Sequence, residues 1–316
     1  MADPKHHQLQ YTEHWHGRSG ITLGVDDVLY SRQSPFQHIQ VLESDAFGKV
    51  LTLDGLVMMT ERDEFVYHEM IVHPALVLHP HPRNVLVVGG GDGGTVRELL
   101  RHDEVQHVDL VEIDAQVVEV SRKYFPSVAT SFDDRRLITH IRDGIEFIRS
   151  ADPEIYDLVI VDSTDPVGFA EGLFGEDFYA DCERVLREHG MLITQSESPF
   201  DDAFQSTVRR ARQVLGRLFD RTHVYLAHIP TYPMGTWSFT MATQGIHPIE
   251  DLDPSLAKAR LADFADELKY YNIGVHLGAF ALPNFALPNV ALPNVSTPNS
   301  AQPNSATPNR TPPAQP

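Results

Sequence analysis

The sequence is poor in cysteine and in positive charge, and each shortage removes a class of explanation. A single cysteine, Cys182, excludes an intrachain disulfide and any metal site built from several thiolates. Its frame, Phe178-Tyr-Ala-Asp-Cys-Glu-Arg-Val-Leu186, reads as helix, which favours a packed thiol over a nucleophile. Only 25 lysines and arginines stand against 44 aspartates and glutamates, a formal net charge of −19. A general nucleic-acid binder wants a basic face, so no nucleic-acid partner is expected. No apolar run is long enough to span a bilayer, and the opening Met-Ala-Asp-Pro-Lys-His-His-Gln has no apolar signal core. No membrane partner is therefore expected, and a cytoplasmic location is. No Gly-Lys-Ser/Thr follows the glycine-rich stretch at residues 89–94, so a P-loop is excluded.

What is present divides into three parts. Residues 1–62 read as a small antiparallel β domain. Its short segments Ile21–Val25, Asp27–Tyr30, His38–Leu42, Val50–Leu53 and Leu56–Thr60 are rich in β formers, and Asp45, Gly48, Asp54 and Gly55 punctuate them. A helix from about Asp63 to Leu78 leads to Pro80 and Pro82. Strands and helices then alternate. Strands are predicted at Asn84–Val88, His107–Glu112, Leu137–Arg142, Asp157–Val161 and Met191–Gln195, followed by helices at Thr95–Arg101, Ala115–Tyr124, Ile145–Ser150, Glu176–Glu188 and Asp202–Phe219. Strands Thr222–His228 and Trp237–Ala242 close the series. The alternation predicts an α/β fold for residues 63–280, Rossmann-like with a methyltransferase-type doubly wound sheet and an antiparallel edge. Residues 281–316 carry a five-residue repeat, Ala-Leu-Pro-Asn-x and its variants. Proline every fifth residue excludes helix and central strand, so a disordered tail is expected.

In such a sheet the ligand sits at the carboxyl ends of the strands. Polar residues collect there: Gly89-Gly-Gly-Asp-Gly-Gly94, Glu112-Ile-Asp114, Asp143-Gly144, Asp162-Ser-Thr-Asp165 and Gln195-Ser-Glu197. A glycine loop entering a helix normally presents N–H groups and a positive dipole end to an anion. Asp92 in its middle argues against phosphate and for a cation just beyond the loop. Glu112 lies about 20 residues after the glycine turn, where a carboxylate accepts ribose hydroxyls. Asp143 and Gly144 stand where an adenine would lie, although an Asp-Gly pair also makes an ordinary turn. Asp92, Asp162 and Asp165 in one crevice would repel one another when it is empty, and a ligand bearing ammonium groups would relieve that repulsion.

These segments, with Phe47-Gly-Lys-Val-Leu-Thr-Leu-Asp-Gly55, Thr60-Glu-Arg-Asp-Glu-Phe-Val-Tyr-His-Glu-Met70 and Ile229-Pro-Thr-Tyr-Pro-Met-Gly235, resemble the polyamine aminopropyltransferases, bacterial spermidine synthases most closely. The resemblance covers roughly residues 11 to 285. It implies transfer of an aminopropyl group from decarboxylated S-adenosylmethionine to putrescine, with Asp162 as proton acceptor and Asp92 on the aminopropyl ammonium. Tyr67, His68, Asp165, Gln195 and Tyr232 would line the diamine channel, with Trp15 near its mouth. Gln37, Gly89, Gly91, Glu112, Asp143, Gly144 and Phe169 would hold the nucleoside. Phe169 departs from the family, which usually has proline there. No metal or bound redox cofactor is expected, since the donor is a co-substrate with its own sulfonium leaving group. A homodimer or homotetramer with the N-terminal β module at the contact is implied. Agmatine, cadaverine or spermidine as acceptor, or a methyltransferase of the same fold, remain as alternatives.

Overall fold

The computed structural model describes residues 9–15, 19–164, 172–200, 202–284 and 286. The N-terminal part holds a hairpin of β1 (Leu9–Trp15) and β2 (Ser19–Val25) and a four-stranded antiparallel sheet. That sheet runs in chain order through β3 (Asp27–Gln33), β4 (His38–Ser44), β5 (Gly48–Leu53) and β6 (Leu56–Thr60). Helix α1 (Glu64–Leu76) crosses to the second part.

There the order is β7 (Asn84–Gly89), α2 (Gly94–Leu100), β8 (His107–Glu112), α3 (Ala115–Tyr124), β9 (Leu137–Ile141), α4 (Gly144–Ser150), β10 (Tyr156–Asp162), α5 (Glu176–Val185), β11 (Leu186–Gln195), α6 (Asp202–Leu218), β12 (Arg221–Ala227), β13 (Trp237–Thr243), α7 (Pro254–Leu261) and α8 (Ile273–Ala279). Seven strands form one sheet in the order β12-β13-β11-β10-β7-β8-β9. Strands β9, β8, β7, β10 and β11 pair in parallel, while β13 is antiparallel to both its neighbours. The chain starts at the middle of the sheet and winds outward in both directions. The crevice between β7 and β10 is the switch point where such a sheet takes its ligand.

Strand β7 explains why the sheet is covered on both sides. Val85 and Val87 face α1 and α2, while Leu86 and Val88 face Ile148 and Phe178, and all four valine and leucine side chains are buried. A strand apolar on both faces needs helices on both. Helix Glu176–Glu188 was expected three residues longer. Arg184 instead donates to the carbonyls of Ile148, Arg149 and Ala151 at the end of α4, and Leu186 already pairs with Tyr156 as the first residue of β11. Strand β1 and helices α7 and α8 lie beyond the elements read from the sequence.

Helix α1 carries two of the expected site residues and is held firmly from outside. Pro74 inside it removes the N–H that would bond the Met70 carbonyl. The Tyr225 hydroxyl donates to that carbonyl at 2.9 Å. Arg260 on α7 donates to the carbonyls of Leu76, His79 and Pro80, closing the helix end. The buried Glu69 carboxylate accepts the backbone N–H groups of Lys269, Tyr270 and Tyr271 at 2.7–2.9 Å, which ties the C-terminal segment to α1. At the start of the repeat, Leu282 and Ala286 pack beside Val224 of β12, and the Ala286 N–H closes a turn onto the Pro283 carbonyl. The expectation of disorder otherwise falls on residues outside those described.

The Glu69 anchor makes a stability prediction. Glu69→Gln leaves one acceptor oxygen for three N–H groups, and hydrogen bonds to a charged group are each worth about 1.5–3 kcal/mol. Unfolding in urea should show a loss of at least about 2 kcal/mol. An unchanged midpoint would mean that the segment is held by its apolar contacts alone.

Candidate functional site

A cavity of about 520 Å³ opens at the carboxyl ends of β7, β8 and β10. Leu51, Leu53 and Met58 of the four-stranded sheet close it from the other side. Of the residues expected in the site, Gln37, Tyr67, His68, Gly89, Gly91, Asp92, Glu112, Asp143, Gly144, Asp162, Gln195 and Tyr232 all line this one space. Asp165 and Phe169 lie outside the described residues. Trp15 does not line the cavity.

Asp162 ends β10 and is almost wholly buried, 9 % exposed. Both of its oxygens are occupied. The Tyr67 hydroxyl donates to Oδ1 at 2.7 Å and the Thr95 hydroxyl to Oδ2 at 2.6 Å. Burial raises the pKa of this carboxyl above the ordinary carboxylate range, and the neighbouring Asp92 charge raises it further. Such a group is a better base than a solvated aspartate.

Asp92 is in the opposite state. Its Oδ1 accepts the Gly94 N–H at 2.7 Å and lies 3.3 Å from His68 Nε2. Burial works against its charge, but His68, with the Gly94 N–H and Arg97 adding to it, outweighs burial and holds the carboxyl below the ordinary range. His68 Nδ1 faces Glu64 Oε2 at 2.6 Å, and Arg97 grips Glu64 with two N–H donors at 2.9 and 3.0 Å. Burial would discharge His68, but Asp92 and Glu64 together push it up to about 10. The repulsion expected of an empty acidic crevice is thus met in part from within, because Asp92 already has a counter-ion in the protein.

On the β8 side, Glu112 Oε1 accepts the Asp114 N–H at 2.8 Å and Oε2 the Gly91 N–H at 3.2 Å. Gly91 has no room for a side chain, since a Cβ would stand 2.7 Å from Oε2. Burial is the main cause that raises the Glu112 carboxyl to about 7. Asp114 in turn accepts from the Ser34 hydroxyl at 2.6 Å and from Gln37 Nε2 at 3.2 Å, so the N-terminal module is bonded to the rim of the site. Asp143 Oδ1 accepts the N–H groups of Ile145 and Glu146 and caps α4. The turn reading and the ligand reading of Asp143 are therefore compatible, with Oδ1 bound by the helix.

The remaining wall is aromatic and amide. Tyr232 donates its hydroxyl to the Met58 carbonyl, and its ring stands 5.8 Å from Tyr67 and 4.9 Å from Trp237. Gln195 Nε2 points to the carbonyls of Ser163 and Thr164, and its Oε1 accepts the Glu197 N–H. Trp15 is buried and donates its indole N–H to Glu13 Oε1 at 2.5 Å. Glu13, not Trp15, reaches the cavity, and its Oε2 accepts the Val57 N–H at 2.7 Å.

Reading the sequence missed Glu13, Thr95, Glu64 and Trp237. Thr95 had a signal, as the first hydroxyl after the glycine loop on the helix that faces the switch point. Glu13 had one too, since a strand places residues two apart on the same face. Nothing local marks Glu64 or Trp237. Among the described residues no group of three or more His, Cys, Asp or Glu is arranged to hold a metal, and no helix is long and apolar enough to cross a membrane.

Comparison with known proteins gives one family. Residues 64–251 match the spermine/spermidine synthase domain, and residues 10–61 match the spermidine synthase tetramerisation domain. The polyamine aminopropyltransferase of Alkaliphilus metalliredigens is 46 % identical over 277 residues, 88 % of this chain and 96 % of that protein. The enzyme of the same name from Clostridioides difficile is 45 % identical over 276 residues, 87 % of this chain and 96 % of that one. Among solved structures, a spermidine synthase in complex with the transition-state analogue AdoDATO superposes with a TM-score of 0.85 at 43 % identity, covering 91 % of this chain and 96 % of the other. The spermidine synthase of Thermotoga maritima superposes with a TM-score of 0.84 at 42 % identity and the same coverage.

Glu112 makes the pH dependence of folding a test of this geometry. Its ordinary value is 4.5 and its folded value about 7, so between the two the folded protein holds a proton that the unfolded chain has released. This contribution to stability is present at low pH and is lost as pH rises from about 4.5 to about 7. Glu112→Gln lacks it. The variant should therefore gain on the wild type across that window, by on the order of 3 kcal/mol in urea unfolding. A constant difference between the two proteins would show that Glu112 is not buried in this way.

Proposed function

The chain belongs to the spermine/spermidine synthase family and is an aminopropyltransferase, and from that premise we propose that it transfers the aminopropyl group of decarboxylated S-adenosylmethionine to putrescine, giving spermidine and 5′-methylthioadenosine. The observation that carries the reading is Asp162: a buried, basic carboxylate, clamped by Tyr67 and Thr95, in a cavity shared with an ionised Asp92 and with Glu112.

The reaction is a displacement. The acceptor nitrogen forms a bond to the carbon beside the sulfonium, the carbon–sulfur bond breaks, and its electron pair leaves on sulfur as a neutral thioether. The sulfonium is already a good leaving group, so the step calls for no metal and no bound redox cofactor. The demand falls on the acceptor. An aliphatic amine has a pKa near 10 and arrives protonated. Asp162 orients it and accepts its proton, and the rise in basicity that burial causes suits that task. Most of the remaining rate comes from holding nitrogen, carbon and sulfur in line.

The other residues take their parts from position and chemistry, and Phe169 and Asp165 take theirs from the family resemblance alone. Gln37, Gly89, Gly91, Glu112, Asp143 and Gly144, with Phe169, hold the nucleoside, Glu112 accepting from the ribose hydroxyls. Asp92 binds the aminopropyl ammonium through Oδ2, the oxygen that neither Gly94 nor His68 engages. Tyr67, Tyr232, Gln195 and His68, with Asp165, bound the diamine, and the aromatic faces of the tyrosines cover its methylene stem. Trp15 acts at the channel mouth through Glu13, whose carboxylate it steadies. A donor with its carboxylate intact would meet Asp92 with like charge, which separates this site from that of a methyltransferase. Residues 10–61, matched by a tetramerisation domain, are the surface through which the chain forms a homodimer or homotetramer. The cytoplasm is the compartment proposed for it.

Mass spectrometry of the labelled products from decarboxylated S-adenosylmethionine carrying an isotope-labelled aminopropyl group, offered with putrescine, cadaverine, agmatine and spermidine together, tests the acceptor. Spermidine should dominate, and preference for another amine would replace putrescine in this reading. Asp162→Asn should lower turnover by at least about 100-fold, the usual scale for a lost general base, with nucleoside binding retained. Near-normal turnover of that variant would remove Asp162 from the role.

A further inference from the structure

His68 is caught between two groups that can only accept. Nδ1 faces Glu64 Oε2 at 2.6 Å and Nε2 faces Asp92 Oδ1 at 3.3 Å. A neutral imidazole has one N–H and could satisfy only one carboxylate, whereas the imidazolium donates to both. Glu64 is itself locked. Arg97 Nη1 donates to Oε1 at 3.0 Å and Nη2 to Oε2 at 2.9 Å, and Arg97 Nε is fixed by Glu98 Oε1 at 2.7 Å. The imidazole ring lies flat against Gly94, where a Cβ would come within 2.3 Å of it. The line Arg97–Glu64–His68–Asp92 thus runs from α2 through α1 into the cavity wall.

We propose that Glu64, braced by Arg97, is a positioning residue for the reaction: it holds His68 as a doubly donating imidazolium, which keeps Asp92 the ionised, ammonium-binding carboxylate and leaves Asp162 as the carboxylate that accepts a proton. This rests on the reading of the cavity as the aminopropyl-donor site. Two similar acids in one crevice can take different roles only if their surroundings separate them. The groups that face His68 do so. Glu64 and Tyr67 come from its own helix, Asp92 from the glycine loop, and Asp162 from β10, with Arg97 acting through Glu64. The cation stands next to Asp92, while Tyr67 and Thr95 bring only neutral donors to Asp162. The directions of the two acids agree, Asp92 lowered and Asp162 raised. Because His68 and Gly94 both engage Oδ1 of Asp92, the carboxylate is also fixed in rotation, and Oδ2 is the oxygen that neither of them engages.

Glu64→Gln is the direct test. The amide keeps the size of the side chain and removes one of the two carboxylate charges, Asp92 being the other, that hold the His68 proton. The KM for decarboxylated S-adenosylmethionine should rise by about tenfold or more, the scale of a lost charge-assisted hydrogen bond, while kcat at saturating donor falls much less. Nitrogen NMR of histidine-labelled protein supplies a readout that a purely structural role would not move. Wild-type His68 should keep protons on both ring nitrogens at about pH 8, above the ordinary titration of imidazole, and in Glu64→Gln, with Asp92 alone beside it, it should lose its second proton at a lower pH than in the wild type. Glu64→Asp, which retains the charge, should recover part of the KM. Gly94→Ala displaces the ring without touching Glu64 and should raise the same KM. An unchanged KM and an unchanged His68 signal in Glu64→Gln would overturn the proposal, as would a single ring proton on wild-type His68 at about pH 8. Failure of the wild type itself to consume the decarboxylated donor would instead overturn the functional reading on which this one stands.

Discussion

The charge on His68 divides the cavity into two kinds of acid. On one side of the crevice a carboxylate has an imidazolium 3.3 Å away and stays ionised. On the other side a second carboxylate has only two hydroxyl donors and is held above its ordinary range by burial. The proposed reaction binds one ammonium and deprotonates another, and so needs both states at once. A single shared environment could not provide them, because two equivalent buried acids would share protons rather than divide tasks.

This division depends on the placement of α1. Tyr67 and His68 are neighbours on that helix, and they serve different acids: the tyrosine donates to Asp162 and the histidine faces Asp92. The helix must therefore sit in one position along and around its axis. Its fixings are external and polar. They are the three N–H groups on Glu69, the Arg260 fork over its last carbonyls, and the Tyr225 hydroxyl on the carbonyl that Pro74 leaves unbonded. All three come from the C-terminal third of the chain. The last strands and helices thus act on the site without lining it, apart from the Tyr232 and Trp237 wall. Buried charge is costly to stability, and the proposed reaction gives this charge a chemical use.

The legible part of the sequence was the part written in backbone chemistry. Alternating apolar strands and helices gave the sheet, and the five strand ends gave the residues that meet in the cavity. The positions of Gly89–Asp92, Glu112, Asp143 and Asp162 could be read because a parallel sheet fixes where its strand ends lie. The pairing of His68 with Asp92 could not be read. The two are separated by the rest of α1 and by strand β7, and their contact depends on the missing side chain of Gly94 and on Glu64 one turn before His68. The clamp of Thr95 on Asp162 joins residues 67 positions apart and escaped notice for the same reason. Trp15 was placed at the channel mouth by the family resemblance, yet it is the smaller, charged Glu13 two residues earlier that reaches the cavity, with the indole as its support. Helices α7 and α8 are short and weakly patterned, and tertiary contacts such as the Arg260 fork define them more than any local signal does.

The central claim is that Asp92, kept ionised, chooses a donor by charge. Calorimetric titration of the wild type and of Asp92→Asn with decarboxylated S-adenosylmethionine and with intact S-adenosylmethionine measures it most directly. A misplaced charge in a dry site is worth several kcal/mol, so the wild type should prefer the decarboxylated compound by at least about 100-fold, and Asp92→Asn should lose most of that preference. Equal preference in the two proteins would contradict the account.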